Sequence, residues 1–199
     1  MIWLRWTTLS VVGYALAATI SVALLGVIAR PLGPIAGGMV FILAFGCVFG
    51  VTIAIPAILG APPGVVRRRE WILLSAIGAS IGFALAAFAG ERLGDVVSPT
   101  GNIIIGGATI QILSGATLGL TIGVAQSRAL DQSLGIGRRW ILATIVGTGL
   151  GYGAATGVLE LLDVEILRAN LIPSFGAIVG LSVGVAQGFV LRSRPGDRS

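Results

Sequence analysis

The chain has 199 residues, of which 55% are hydrophobic and 11% charged, with 31 glycines and a mean hydropathy of +1.00. A soluble domain carries roughly 25% charged residues and about 7% Gly, so this chain lacks the polar surface to coat a water-soluble globule, and its composition assigns it to a bilayer. There is no His and no Lys, and Cys47 is the only cysteine, which excludes His-ligated haem or zinc, Ser/His/Asp and Cys/His catalysis, a Schiff-base lysine and an internal disulfide.

A bilayer core of roughly 30 Å needs about 20 apolar residues per helix. In chain order, six stretches without internal charge reach that length: Thr7 to Ala29, Pro34 to Gly60, Trp71 to Gly90, Ile103 to Ser127, Trp140 to Leu159, and Leu171 to Leu191. The predicted fold is an all-α integral membrane protein of six transmembrane helices in a single transmembrane domain. The apolar run after Arg5 could be taken for a signal peptide, but it shares a pattern with two later helices that a cleaved leader would not need. After the fifth span, Leu159 to Leu167 reads either as a short interfacial helix or as an extension of that span.

The net charge of +5 comes from 13 arginines and eight acids. Arginines fall in short runs between spans, as at Arg67, Arg68 and Arg69, at Arg138 and Arg139, and at Arg192 and Arg194. No basic stripe alternates with aromatics, so nucleic acid is not an expected partner; membrane lipids are. Ten of the 13 arginines lie on the side that holds both termini, leaving Arg30, Arg92 and Arg168 opposite, with Glu91, Asp95, Glu160, Asp163 and Glu165. The positive-inside rule then predicts that the N- and C-termini are cytoplasmic, in a multi-pass protein of a bacterial cytoplasmic (inner) membrane.

A repeat organises the spans. From Trp6, Trp71 and Trp140, a hydroxyl follows four positions on (Ser10, Ser75, Thr144), a Gly seven on (Gly13, Gly78, Gly147) and a small residue eleven on (Ala17, Gly82, Gly151). At 100° per residue these offsets share one narrow stripe. Each even span has a matching set: Gly115, Gly119 and Gly123 precede Gln126, and Gly176, Gly180 and Gly184 precede Gln187. The first hairpin keeps a degraded version, Gly46, Gly50 and Ala54, with Ala57 in place of the Gln. The chain thus reads as three tandem helical hairpins, approximately 1–66, 67–134 and 135–199, in an arrangement with pseudo-threefold symmetry. The glycines are expected at helix contacts, and Trp6, Trp71 and Trp140 at the membrane interface as anchors.

No charged residue lies near the middle of a span, which argues against ion-coupled transport, proton pumping and voltage sensing. Among the mid-membrane polar groups, most hydroxyls can bond the carbonyl one turn back. The candidate polar ligand or vestibule contacts are Gln111, Gln126, Gln187, Tyr14 and Tyr152. For Gln126 and Gln187 the alternative is an interfacial amide bonded to water, to headgroups or to the Trp indole of a neighbouring helix. No metal site and no cofactor is expected.

WILATIVGTGLGYG and GVAQGFVLR resemble a group of uncharacterised bacterial polytopic membrane proteins with tandem segments of the W-x-L-A and G-x3-G-x2-Q-W-L-V-L-R type. The resemblance covers the second and third hairpins best and departs after Gln126 and Gln187, where Ser127 and Gly188 stand in place of Trp. It implies the topology and no particular activity. The function expected is that of a non-catalytic integral membrane protein, an accessory or structural subunit of a larger membrane complex or a self-associating scaffold, with other membrane subunits or copies of itself as partners. The alternative is a facilitator or substrate-binding membrane subunit for a small uncharged or hydrophobic solute, which would require a mid-membrane cavity bordered by Gln111, Tyr14 or Tyr152. An intramembrane enzyme would have only Glu160, Asp163 and Glu165 as acids.

Overall fold

The computed structural model describes residues 2–28, 34–61, 64–97, 103–162 and 171–192. Arg30, Arg168, Arg194, Arg198, Asp163 and Glu165 lie outside the described residues, as do the side chains of Glu91 and Asp95. Six long helices account for nearly everything described: α1 (Ile2–Ile28), α2 (Pro34–Gly60), α3 (Arg68–Val97), α4 (Ile103–Ala129), α5 (Gly137–Leu161) and α6 (Ile172–Arg192). All six are long and apolar enough to cross a membrane.

Several helices outrun the apolar stretches. α1 begins at Ile2, and α3 runs from Arg68 to Val97 where the sequence predicts Trp71 to Gly90. Charged side chains limit how deep a segment sits in lipid, but Arg and Glu are good helix formers, so the helix continues past the boundary that hydropathy draws. α5 continues to Leu161, with Leu162 capping it through an N–H bond to the Val158 carbonyl at 3.1 Å. The remainder of the expected interfacial segment to Leu167 lies outside the described residues.

Each helix packs extensively against its neighbours in sequence, and α1 packs against α6, so the six form a closed ring. Neighbours run antiparallel: α1 meets α2 through Gly13 against Pro56, and Gly60 against Trp6. Because lipid removes most of the hydrophobic drive for helices to touch, close backbone approach is what holds such a ring together. The glycine positions provide it. Gly46 and Gly50 lie on the α3 backbone at Ser75 to Ser80, Gly115 and Gly119 on α5 at Thr144 to Tyr152, and Gly176, Gly180 and Gly184 on α1 at Thr7 to Ala15. In the same way Gly78 and Gly82 abut α4, and Gly147 and Gly151 abut α6. At Gly50 an added Cβ would stand 2.6 Å from the Ala76 Cα, a contact no side-chain rotation can relieve. Gly123 is looser, with its nearest atom on α5 at 3.1 Å.

One end of the ring, where α1 begins, is tied by the α2–α3 and α4–α5 connections. Val66 and Leu130 form an isolated antiparallel bridge, with Arg67 N–H donating to the Ala129 carbonyl at 2.9 Å and Asp131 N–H to the Val65 carbonyl at 3.0 Å. Arg67 also donates to the Arg128 carbonyl and pairs with Glu70 at 2.8 Å. Asp131 caps the short turn Gln132–Leu134 by accepting from Ser133 N–H, which holds its carboxyl below the usual carboxylate range.

Candidate functional site

The interior of the ring has two parts. At the end where α1 begins, Trp6, Trp71 and Trp140 meet edge to face, with ring centroids 6.5 Å apart for Trp6 and Trp71 and 5.5 Å for the other two pairs. They are 1%, 1% and 0% exposed. Val65, Leu130, Ile136 and Leu191 from the connections and α6 pack around them. This corrects the expectation that the three tryptophans are interfacial anchors. An anchor presents its ring to headgroups, whereas these lie on the glycine-bearing face of their helices, which the ring turns inward.

Two of the three indoles are satisfied by the repeat glutamines. Trp140 Nε1 donates to Gln126 Oε1 at 3.2 Å, and Gln126 Nε2 donates to Ser75 Oγ at 3.0 Å. Trp6 Nε1 donates to Gln187 Oε1 at 3.3 Å, and Gln187 Nε2 donates to Thr144 Oγ1 at 2.9 Å. Each amide therefore links the hydroxyl of the preceding odd helix to the tryptophan of the next. The third set lacks its amide, because Ala57 occupies that position, and Trp71 Nε1 is buried without a hydrogen-bond partner. Gln126 and Gln187 are 4% and 5% exposed. They are structural bridges with both amide ends engaged, and they border neither of the two cavities described next, which corrects their candidacy as vestibule contacts.

Farther along the ring the interior is hollow. A cavity of about 160 Å³ lies among Tyr14, Ala18, Phe45, Phe49, Tyr152 and Phe175. A second, wider one of about 510 Å³ adjoins it, sharing Val22, Phe45 and Tyr152 and reaching Phe83, Gln111 and Ser114. The aromatic walls brace one another edge to face: Tyr14 with Phe49 at 5.5 Å, Phe45 with Phe83 at 4.7 Å, Phe49 with Phe83 at 5.1 Å and Tyr152 with Phe175 at 5.2 Å. Such pairs add roughly 0.5–1.5 kcal/mol beyond area burial and keep the walls from collapsing into the space. Tyr14 and Tyr152 therefore line the narrower cavity and Gln111 and Tyr152 the adjoining wider one, while Gln126 and Gln187 lie apart from both.

No family model matches the chain, and neither a curated protein nor a solved structure is significantly similar to it. The site must be read from its own chemistry.

That chemistry is apolar with one polar edge. Among the described residues no charged side chain lines either cavity, and no cluster of His, Cys, Asp and Glu could hold a metal ion. Glu160 stands outside the cavities with Oε2 buried and unpartnered, its Oε1 occupying the space a Cβ at Gly107 would need. The polar edge belongs to α4. Thr117 donates to the Leu113 carbonyl at 2.9 Å, and Thr121 likewise bonds within its own helix. Gln111 and Ser114, by contrast, have no hydrogen-bond partner among the described residues and open onto the wider cavity.

The sequence reading missed Ala18, Phe45, Phe49, Phe83, Phe175 and Ser114 as walls. The repeat offsets carry a signal for five of them. Twelve positions after each tryptophan stand Ala18, Phe83 and Tyr152, two aromatics and a methyl group. One position before each first glycine of the even helices stand Phe45, Ser114 and Phe175, and four before it Ile42, Gln111 and Ile172. The cavity and its polar edge arise where one repeat departs from the other two.

Proposed function

We propose that this chain is a non-catalytic, multi-pass membrane protein that binds a small uncharged or hydrophobic molecule inside its helical ring. The observation that carries the reading is the pair of adjoining, aromatic-walled cavities bordered by Tyr14, Tyr152 and Gln111. Pockets that bury small ligands measure roughly 300–1,000 Å³ and are mostly apolar with a few placed polar groups. The tryptophan cluster closes the axis at the other end, which favours binding over passage straight through the ring.

The finer architecture in this proposal is three tandem hairpins related by a pseudo-threefold axis, with both termini on the cytoplasmic side of a bacterial inner membrane. Its support is the repeat spacing, the recurrence of the glutamine bridge and the arginine distribution. A role as accessory subunit of a larger complex is compatible with ligand binding. Self-association through the glycine stripes has less support, because those stripes are occupied by contacts within the chain.

The test is direct. The chain is purified in a mild detergent, its mass is measured intact and native, and the bound material is extracted into organic solvent. A small nonpolar molecule at about one per chain is expected, and Ala18→Phe should expel it. Recovery of an empty chain that also binds no hydrophobic probe would overturn the proposal.

A further inference from the structure

The cavity as described would accept any apolar guest, but its polar edge is specific to one helix. At the positions where α2 and α6 carry Ile42 and Ile172, and then Phe45 and Phe175, α4 carries Gln111 and Ser114. Both open onto the cavity. Other hydroxyls of the same helix bond their own backbone, and the two other inward amides of the ring are each engaged at both ends. Gln111 alone among the ring's interior glutamines has neither end satisfied among the described residues. The half-buried Gln111 amide is thus open to a ligand group, which can bond it without displacing an internal partner.

The opposite wall has a complementary gap. Ala18 faces Tyr152 in the narrower cavity where the repeat offsets place a third large ring, and Val22 is common to both cavities. The two cavities meet at Val22, Phe45 and Tyr152, with Ala18 on the narrower one and Gln111 on the wider. Together they therefore have an apolar, aromatic-lined end and a hydrogen-bonding end.

Resting on the ligand-binding reading above, we infer that the ligand is an uncharged amphiphile whose carbonyl or hydroxyl head bonds Gln111 and Ser114. Its hydrocarbon chain or ring fills the space beside Ala18. A carbonyl head accepts from the Gln111 amide and the Ser114 hydroxyl, and a hydroxyl head also donates to the Gln111 carbonyl. A charged head is disfavoured because, among the described residues, no charged side chain lines either cavity to compensate its desolvation. Gln111 thus selects for the head and Ala18 admits the body.

Four probes test this with the full-length chain in detergent, by native mass spectrometry: a decyl-substituted benzoquinone, the isoprenoid alcohol farnesol, dodecane and dodecyl phosphate. At least one of the first two should bind one per chain and at least tenfold more tightly than dodecane or dodecyl phosphate. Which of them does so tells a quinone source from an alcohol source. In Gln111→Leu that preference should fall to less than threefold while dodecane binding stays as it was, with Gln111→Met as a second variant. Ala18→Phe should block every probe, with Val22→Phe as its alternative. Fluorescence of the tryptophan cluster, at the other end of the ring, reports the fold of each variant. Equal binding of dodecane and both head-bearing probes, or a preference that survives both Gln111 variants, overturns the head assignment and leaves the cavity reading standing. Failure of all probes to bind, or binding undisturbed by both Ala18→Phe and Val22→Phe, overturns the cavity reading itself.

Discussion

At one end of the ring Trp6, Trp71 and Trp140 converge and fill the interior. Twelve residues farther along the same helices, about 18 Å at 1.5 Å per residue, stand Ala18, Phe83 and Tyr152, and there the interior is hollow, with Ala18 and Tyr152 on the narrower cavity and Phe83 and Tyr152 on the wider. The two layers have the same construction, one side chain from each odd helix, and differ in how faithfully the repeat is kept. Where all three copies carry the large ring, packing closes. Where one carries a methyl group, a cavity opens, as truncating a core side chain produces. Polarity follows the same rule in reverse. The tryptophan end brings its amides into bonds, while the hollow half leaves Gln111 and Ser114 without partners. If the hollow half binds a ligand as proposed, fidelity to the tryptophan offsets builds the frame and departure from them the site.

The sharpest way to break this contrast is to attack the frame that both halves share. Gly50→Val places branched carbon against the Ser75 carbonyl and the Ala76 Cα. The α2–α3 contact must then separate, and we expect loss of the folded monomer, read as a collapse of the unfolding transition in detergent titration and of tryptophan emission. An intermediate test applies one substitution to each half. Gln126→Leu leaves Trp140 Nε1 unpartnered and takes from Ser75 its bond to the amide, so it should destabilise by about 1–3 kcal/mol. Gln111→Leu removes an amide that has no partner among the described residues and should change stability by less than about 1 kcal/mol or raise it slightly. Equal costs for the two would mean that the halves do not differ in polar satisfaction. The smallest effect is a gain. Ala57→Gln supplies the third copy with the amide it lacks, beside the orphaned Trp71 Nε1, and should stabilise by about 0.5–1.5 kcal/mol, measured by the same titration.

Much of the frame was legible in the residues, and particular positions explain why. Six spans follow from hydropathy because a helix in lipid must satisfy its own backbone, and the glycine stripes follow from fixed offsets. The tryptophans were misread because the aromatic-belt rule applies to rings that face lipid. Their phase within the same stripe as Gly78 or Gly147 already directs them to a helix contact. Gln126 and Gln187 gave the correct alternative, a neighbour's indole, but no sequence pattern says which neighbour until the ring closes. The cavity was hardest to foresee. Ala18 is unremarkable in α1 alone and becomes a wall only when Tyr152 and Phe175, from two other helices, are brought to the same cavity.

The closure between α1 and α6 has a topological consequence. The first turn of α1 and the last of α6 lie side by side, with Trp3 packed on Gly188 and its ring 6.1 Å from that of Phe189. The ring therefore has no structurally privileged beginning, and chain order around it is a matter of where the peptide is cut. Moving α1 and α2 from the front of the gene to its back, with a short linker after Arg192, would present the same neighbours to one another. Only the covalent step from α2 to α3 would be lost.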